Sequence, residues 1–127
     1  MKITLLAEDR IRFDPVPGPL SVEAESAEMS YSPFHMLASG LAVCVISTVS
    51  SWANNAGIPT AGLAAEVSWE FADKPHRVGR FHLVLEWPGL AEERRATAIR
   101  AAGLCPAHKS FELPTEVHTE IRTGAAE

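Results

Sequence analysis

Residues 32–59 read SPFHMLASGLAVCVISTVSSWANNAGIP, and this stretch decides the fold of the chain. Ser32 is a preferred N-cap residue, and Pro33 suits the first helical position, where its missing N–H is not needed. At the other end Gly57 suits a left-handed residue just beyond a helix, and Pro59 cannot continue one. These signals predict one helix of roughly 23 residues, about 34 Å long at 1.5 Å per residue.

The predicted helix has no polar face. Residues 36–53 contain no Asp, Glu, Lys or Arg, and apolar or small residues occur on all sides. Such a helix is either enclosed by protein or lies in a membrane. Three features favour burial in protein: the helix contains several serines, it ends at Asn54 and Asn55, and it lacks flanking Lys or Arg. A single sheet from so short a chain cannot cover every side, so we expect a two-fold homodimer that completes the cover.

Length and charge narrow the class of protein. With 127 residues the chain is expected to form one domain, residues 1–127. Its net charge of -5, without any Lys/Arg cluster, makes nucleic acid and anionic membranes unexpected partners. Glu8 and Asp9 come too early for a signal peptide, so a cytoplasmic location is expected. Two cysteines in that compartment are more often reactive or inert thiols than a structural disulfide.

Alternating apolar residues predict strands on both sides of the helix. The resulting order is βββ-α-ββ-α-β, an α+β fold with antiparallel sheets. The expected elements are two short strands around Ile3–Leu5 and Ile11–Phe13, a third at 20–29, the long helix, a hairpin at 63–71 and 78–87, a helix at 91–102, a helical turn at 107–112 and a last strand at 115–123 with Val117 and Ile121 inward.

Cys44 and Cys105 are the candidate reactive groups. Cys44 lies near the middle of the long helix, and core packing is the plainer interpretation for it alone, because free Cys is among the most buried residue types. Cys105 belongs to the segment LCPAHKSF, where Pro106 follows at a first helical position. Its sulfur at the start of a helical turn and the nearby His108 both favour a thiolate.

The two cysteine segments together resemble those of a known family. SPFHMLASGLAVC, followed about sixty residues later by LCPAHKSF, is similar to the OsmC/Ohr superfamily of osmotically inducible and organic hydroperoxide resistance proteins. The resemblance runs from about residue 20 to residue 121 and includes the element order. It implies an intertwined homodimer with two long helices packed between β-sheets. It also implies thiol-dependent reduction of hydroperoxides at the subunit interface, with Cys44 as peroxidatic and Cys105 as resolving thiol.

Two positions depart from the pattern of the hydroperoxide reductases in that family. Those enzymes have an acidic residue directly after the helix-opening Pro and an Arg from the N-terminal region, which together polarise the thiolate. In this chain Phe34 and His35 follow Pro33, so the acid is absent, and Arg10 and Arg12 are the candidates for the Arg. The chain therefore resembles a less-characterised OsmC-like branch.

Further residues are candidates for supporting the thiols. His108 and His35 are possible supports, although about 100° per residue puts His35 on the opposite side of the helix from Cys44. Capping or exposure to solvent is therefore the plainer interpretation of His35. A mostly apolar floor is expected around Cys44, which favours a small hydrophobic hydroperoxide as substrate. The candidate lining residues are Phe34, Leu37, Gly40, Leu41 and Thr48.

The leading interpretation is a thiol-dependent peroxidase that takes part in oxidative-stress defence. It needs no cofactor and draws electrons from a thiol reductant, either a small dithiol or a thioredoxin-like protein. The alternative is a small-ligand-binding protein with an apolar cleft at the dimer interface, in which Cys44 is lining only. A metal site is not expected, because no close pair of ligands such as C-x-x-C is present.

Overall fold

A computed structural model describes residues 1–8, 10–18 and 32–124, which fall into two compact units, Met1–Ser30 and Tyr31–Glu127. The N-terminal unit holds an antiparallel pair of strands, β1 (Lys2–Ala7) and β2 (Arg10–Asp14). This pair confirms the first two predicted strands. The strand predicted at 20–29 lies outside the described residues.

The C-terminal unit is built around the long helix α1 (Pro33–Ala56), and both of its ends form as predicted. Ser32 is the N-cap, and its hydroxyl accepts a hydrogen bond from the His35 backbone N–H at 3.2 Å. The helix ends at Gly57, whose φ of 70° lies in the left-handed region that glycine adopts without a Cβ clash. The backbone N–H of Gly57 donates to the carbonyls of the last turn.

The predicted hairpin follows as β3 (Ala64–Ala72) and β4 (Arg77–Glu86), paired antiparallel. Its alternation is interrupted near the turn, where the register shifts after Glu70 and Gly79 is the extra residue on β4. Phe71 lies close to this irregularity and is 47% exposed, although its ring contacts Phe34 of α1. The half-buried residues of the inner face are Ala65, Val67, Trp69, Phe81, Leu83 and Leu85.

Two short helices complete the C-terminal unit. The predicted second helix begins as a 3-10 turn at Glu92–Arg94 and continues as α2 (Arg95–Ala102). Cys105 is the N-cap of α3 (Pro106–Glu112), as the sequence predicts. Three helices and antiparallel strands confirm the α+β class.

No strand forms at 115–123, so the prediction of a last strand is wrong for the part of the chain that the structure describes. Val117 and Ile121, expected to point inward, are 87% and 85% exposed. An alternating segment forms a strand only when it pairs with a neighbouring edge, and within residues 32–124 this segment pairs with neither β3 nor β4.

The single chain covers α1 on one side. The strands and short helices of one chain are too few to surround a 24-residue helix, as the sequence analysis expects. By length and composition α1 also meets the criterion for a membrane span, as core helices of soluble proteins do. The buried stripe is Ala38, Leu41, Ala42, Val45, Val49 and Ala53. The opposite side, called the uncovered face below, consists of Leu37, Gly40, Val43, Ser47 and Ser51.

Candidate functional site

Cys44 and Cys105, distant in sequence, meet in the core of the C-terminal unit. Both are free thiols, and Cys44 packs against the buried cluster that Cys105 forms with Leu41 and Val45. The Cys105 thiol interacts with that of Cys44, which packs against the same cluster. The packing of α3 on α1 thus brings the two predicted site thiols into direct contact.

The two thiols differ in access to solvent. Cys105 is 0% exposed, whereas Cys44 is half-buried and lies where the buried stripe of α1 meets the uncovered face. Burial raises the pKa of the Cys105 thiol, and its interaction with Cys44 raises this pKa further. The backbone N–H of His108, which donates to Cys105 Sγ at 3.4 Å, lowers it. The pKa is raised overall, so the expected thiolate at Cys105 is wrong, because desolvation outweighs the helix-start N–H.

The floor around Cys44 is apolar in part. Leu41 is 2% exposed and packs in the thiol cluster. The Thr48 hydroxyl donates to the Cys44 carbonyl oxygen at 2.9 Å, so it braces the helix at the thiol. Leu37 and Gly40 lie on the uncovered face and are exposed to solvent in the single chain. These four candidate lining residues therefore surround Cys44 on α1, without closing a pocket over it.

The first turn of α1 contacts the hairpin. Phe34 packs edge-on against Phe71 with ring centroids 4.9 Å apart, and His35 packs in the same manner against Trp69 at 4.9 Å. The Nδ1 atom of His35 accepts a hydrogen bond from the Ser32 backbone N–H at 3.2 Å, which completes a reciprocal cap. The capping interpretation of His35 is confirmed.

His108 lies beside Cys105 through its main chain, while its imidazole faces elsewhere. The ring Nε2 is 3.6 Å from a carboxylate oxygen of Glu112. The other ring nitrogen, Nδ1, is buried and has no hydrogen-bond partner among the described residues. Only the backbone N–H of His108 contacts Cys105, and a supporting role of its imidazole at the thiols stays a prediction.

The two candidate arginines belong to the N-terminal unit. Both lie in β2, and Arg12 pairs with Asp14, with 3.8 Å between Nε and Oδ2. The role of Arg10 or Arg12 at the thiols stays a prediction. Within residues 1–8, 10–18 and 32–124 no group of three His, Cys, Asp or Glu side chains is placed to hold a metal ion.

The C-terminal unit also holds an open cleft of about 590 Å³, which the sequence did not predict. It runs along β4 and is closed from the other sides by α2 and by Val45 of α1. The signals that could have located it are the apolar alternation of β4 and the small residues Ala98 and Ala102 on α2, which leave room between the two elements. Its apolar lining is Val45, Leu83, Leu85, Leu90, Ala98 and Ile99.

The fold agrees with the comparison to known proteins. The chain matches the profile of the OsmC-like protein family over residues 6–120, so it belongs to that family. A comparison with curated proteins gives no significant match.

Solved structures with the same fold include three bacterial proteins. One from Psychrobacter arcticus, provisionally described as an osmotic stress induced and detoxification response protein, is 29% identical with a TM-score of 0.60. The match covers 66% of this chain and 62% of that protein, which is less than two thirds of its length. An OsmC-like protein from Mycoplasma pneumoniae is 22% identical, with a TM-score of 0.57 and coverage of 71% and 68%. An OsmC-like hydroperoxide resistance protein from a Jannaschia species is 18% identical, with a TM-score of 0.58 and coverage of 84% and 74%.

Proposed function

We propose that this protein is a thiol-dependent peroxidase that reduces organic hydroperoxides through Cys44 and Cys105. The observation that carries the proposal is the direct contact of these two thiols, brought together from separate helices inside an OsmC-like fold. A thiol pair in contact can form a disulfide without a large movement of the chain.

The environments of the two thiols support different roles. Cys44 is half-buried at the edge of the uncovered face, so a substrate can reach it. Cys105 is fully buried and its raised pKa keeps it protonated near neutral pH, so it is a poor first nucleophile. Cys44 is therefore the attacking residue, and Cys105 reacts with the oxidised Cys44.

The reaction proceeds in two steps within the protein. The Cys44 thiolate attacks the terminal oxygen of the hydroperoxide, the O–O bond breaks, and the alkoxide leaves as an alcohol after it takes a proton. Cys44 is then a sulfenic acid. The Cys105 sulfur attacks this sulfur, the S–O bond breaks, and water leaves as a Cys44–Cys105 disulfide forms. A dithiol or thioredoxin-like reductant supplies two electrons and two protons and restores both thiols.

The proposal includes a homodimer in the cytoplasm. The uncovered face combines the exposed apolar residues Leu37 and Val43 with Gly40, where an added methyl group would meet no other atom within 4 Å. A second copy packed on this face would cover the apolar residues and close the open side of Cys44. An enclosed apolar site of this kind favours a hydrophobic hydroperoxide over hydrogen peroxide.

The direct test follows thiol oxidation by rapid mixing. The reduced wild type is mixed with cumene hydroperoxide or with hydrogen peroxide, beside Cys44→Ser and Cys105→Ser. We expect faster oxidation by cumene hydroperoxide, no turnover in Cys44→Ser, and sulfenic acid on Cys44 that persists or over-oxidises in Cys105→Ser. A wild type that reacts no faster than a small free thiol at the same pH overturns the proposal.

A ligand-binding protein without efficient peroxidase activity is the second candidate. The cleft of about 590 Å³ has the size and apolar lining of small-molecule sites. Under this alternative the Cys44–Cys105 contact is core packing, and Cys44→Ser leaves ligand affinity unchanged. This ligand-binding alternative would be favoured if the wild type reacts with hydroperoxides only as fast as a free thiol and binds an apolar ligand tightly.

A further inference from the structure

Cys44 and Cys105 differ in how easily an outside thiol can reach them. Cys105 is 0% exposed, and the buried cluster that contains it is covered by residues of α1, α2, α3 and β4. Cys44 is half-buried at the edge of the uncovered face. All the covering elements belong to the same chain as Cys105. A second copy on the uncovered face would therefore add cover to Cys44 but would not expose Cys105.

The short helix α3 is the part of this cover that Cys105 itself begins. Cys105 is the N-cap of α3, with 3.4 Å between Sγ and the backbone nitrogen of His108, and Ala107 packs against the buried cluster. Near the other end of α3 the ring of Phe111 packs on Phe81 of β4, with ring centroids 4.9 Å apart. This contact fastens α3 to the hairpin, so an outside thiol reaches Cys105 only when α3 moves away.

The pKa of Cys105 acts in the same direction as neither sulfur's access, because it concerns the leaving group. Burial raises the pKa of the Cys105 thiol, and a thiol of higher pKa leaves a disulfide more slowly. With a Brønsted coefficient of about 0.5, one pKa unit changes the rate of thiol exchange only about threefold. A side chain without exposed surface reacts only in the small fraction of molecules that are locally open, which lowers the rate by orders of magnitude. Access therefore decides which sulfur is attacked.

We propose that the reductant attacks the Cys44 sulfur of the Cys44–Cys105 disulfide, so that reduction passes through a mixed disulfide on Cys44. This inference rests on the proposed function and specifies its last step. The reductant thiol enters by the opening that admits the hydroperoxide, and α3 keeps it away from Cys105.

The electrons and protons of this step balance as follows. The reductant thiolate bonds to Cys44 Sγ, the Cys44–Cys105 bond breaks, and its electron pair leaves on Cys105, which takes up a proton. The backbone N–H of His108, which donates to Cys105 Sγ, stabilises the charge on the departing sulfur. The second thiolate of the reductant then attacks the reductant's own first sulfur. Cys44 leaves as the thiolate, and the reductant departs as a disulfide.

The experiment separates this step from the reaction with peroxide, because the disulfide is prepared with diamide, which oxidises thiol pairs directly. The oxidised wild type is mixed with a monothiol, N-acetylcysteine, which cannot complete the second step. Samples are taken at early times into a denaturing quench that contains N-ethylmaleimide. Peptide mass spectrometry then shows which cysteine carries the monothiol. We expect N-acetylcysteine on Cys44 and maleimide on Cys105, in about tenfold excess or more over the opposite product.

Two variants test whether α3 causes this selectivity. Phe111→Ala removes the ring that fastens α3 to β4, so the excess of the Cys44 product should fall about threefold or more. Leu113→Ala is the control, because Leu113 follows α3 and is 63% exposed, and it should keep the wild-type ratio. Circular dichroism checks that both variants are folded.

The possible failures are distinguishable. A wild type that gives both mixed disulfides equally, or mainly the one on Cys105, overturns this inference alone, and so does a wild-type ratio in folded Phe111→Ala. If diamide forms no Cys44–Cys105 disulfide in the folded wild type, this inference and the two-thiol reaction fall together. If the disulfide forms and is reduced through Cys44 but the protein does not react with hydroperoxides, the proposed peroxidase fails and the inference about the disulfide stands.

Discussion

At the scale of single residues, Cys105 shows how burial gives two neighbouring thiols different environments. Cys105 is the less accessible of the two thiols, and its pKa is raised by desolvation and by its interaction with Cys44. A protonated Cys105 can donate to Cys44, and this contact keeps it within reach when Cys44 becomes oxidised. In the proposed reaction, burial would protect Cys105 from direct oxidation and retain it for the second step.

The raised pKa of Cys105 predicts how stability changes with pH. Between the ordinary value of 9.0 and the higher folded value, the unfolded chain has lost a proton that the folded chain keeps. The free energy of unfolding therefore falls as pH rises above 9.0, and this loss is absent from Cys105→Ser. Urea unfolding of both proteins under reducing conditions, from neutral to alkaline pH, measures the difference. Cys44→Ser should retain most of this fall in the free energy of unfolding, because burial is the larger cause of the raised pKa of Cys105. If the free energy of unfolding changes with pH in the same way in the wild type and in Cys105→Ser, the prediction is contradicted.

Gly79 is predicted to be intolerant of any side chain. A Cβ at this position would lie 2.6 Å from the Cβ of Ala72, so Gly79→Ala forces the hairpin apart and should lower the free energy of unfolding by about 1–3 kcal/mol. Urea unfolding measures this loss. Gly18→Ala, where nothing lies within 4 Å, is the control and should change little. The second change Ala72→Gly should relieve the clash, and a double variant as unstable as Gly79→Ala would show that contact is not the cause.

At the scale of secondary-structure elements, local signals predicted the elements whose ends are fixed by their own residues. Ser32, Pro33 and Gly57 bound α1 because caps act within one turn, and the hairpin formed because its alternation matches its own partner strand. The last strand failed because a strand needs a partner from elsewhere in the chain, and residues 115–123 have the pattern but pair with no other strand in the described part of the chain.

The cap of α1 gives a prediction at this scale. Ser32→Ala removes the hydroxyl that accepts from the His35 N–H, so the free energy of unfolding should fall by about 1 kcal/mol. Ser47 is an exposed residue in the middle of the same helix. Ser47→Ala should be neutral or slightly stabilising, because Ala has the higher helix propensity. Thermal unfolding followed by circular dichroism compares the two. Equal midpoints for both variants would show that the cap does not limit stability.

At the scale of the whole molecule, the uncovered face of α1 predicts the assembly. Val43→Asp places a charge in the centre of this face, so it should convert a dimer of twice the 13.7 kDa chain mass into monomers. Val84 is the matched control, because it is 43% exposed, compared with 44% for Val43, but lies on the hairpin. Val84→Asp should therefore leave the dimer intact. Light scattering at micromolar concentration measures both. A wild type that is itself a folded monomer would remove the basis of this prediction.

The candidate site was predictable only in the part that involves sequence motifs. Cys44 and Cys105 could be named because each stands in a recognisable segment, and the structure places them in contact. The pKa of Cys105 could not be predicted, because desolvation depends on the packing of three separate elements around it. The cleft beside β4 escaped prediction for a related reason, since an empty volume has no residue of its own and arises only where β4 and α2 fail to meet.

The uncovered face has a further consequence for a newly synthesised chain. A single chain displays exposed leucine and valine side chains on α1 and unpaired strand edges on its hairpin. Chaperones and proteases recognise such surfaces, so under the proposed homodimer the abundance of the protein in the cell would depend on how quickly two chains find one another. Slow synthesis would therefore lower the yield more than proportionally, because encounter between two chains scales with the square of their concentration.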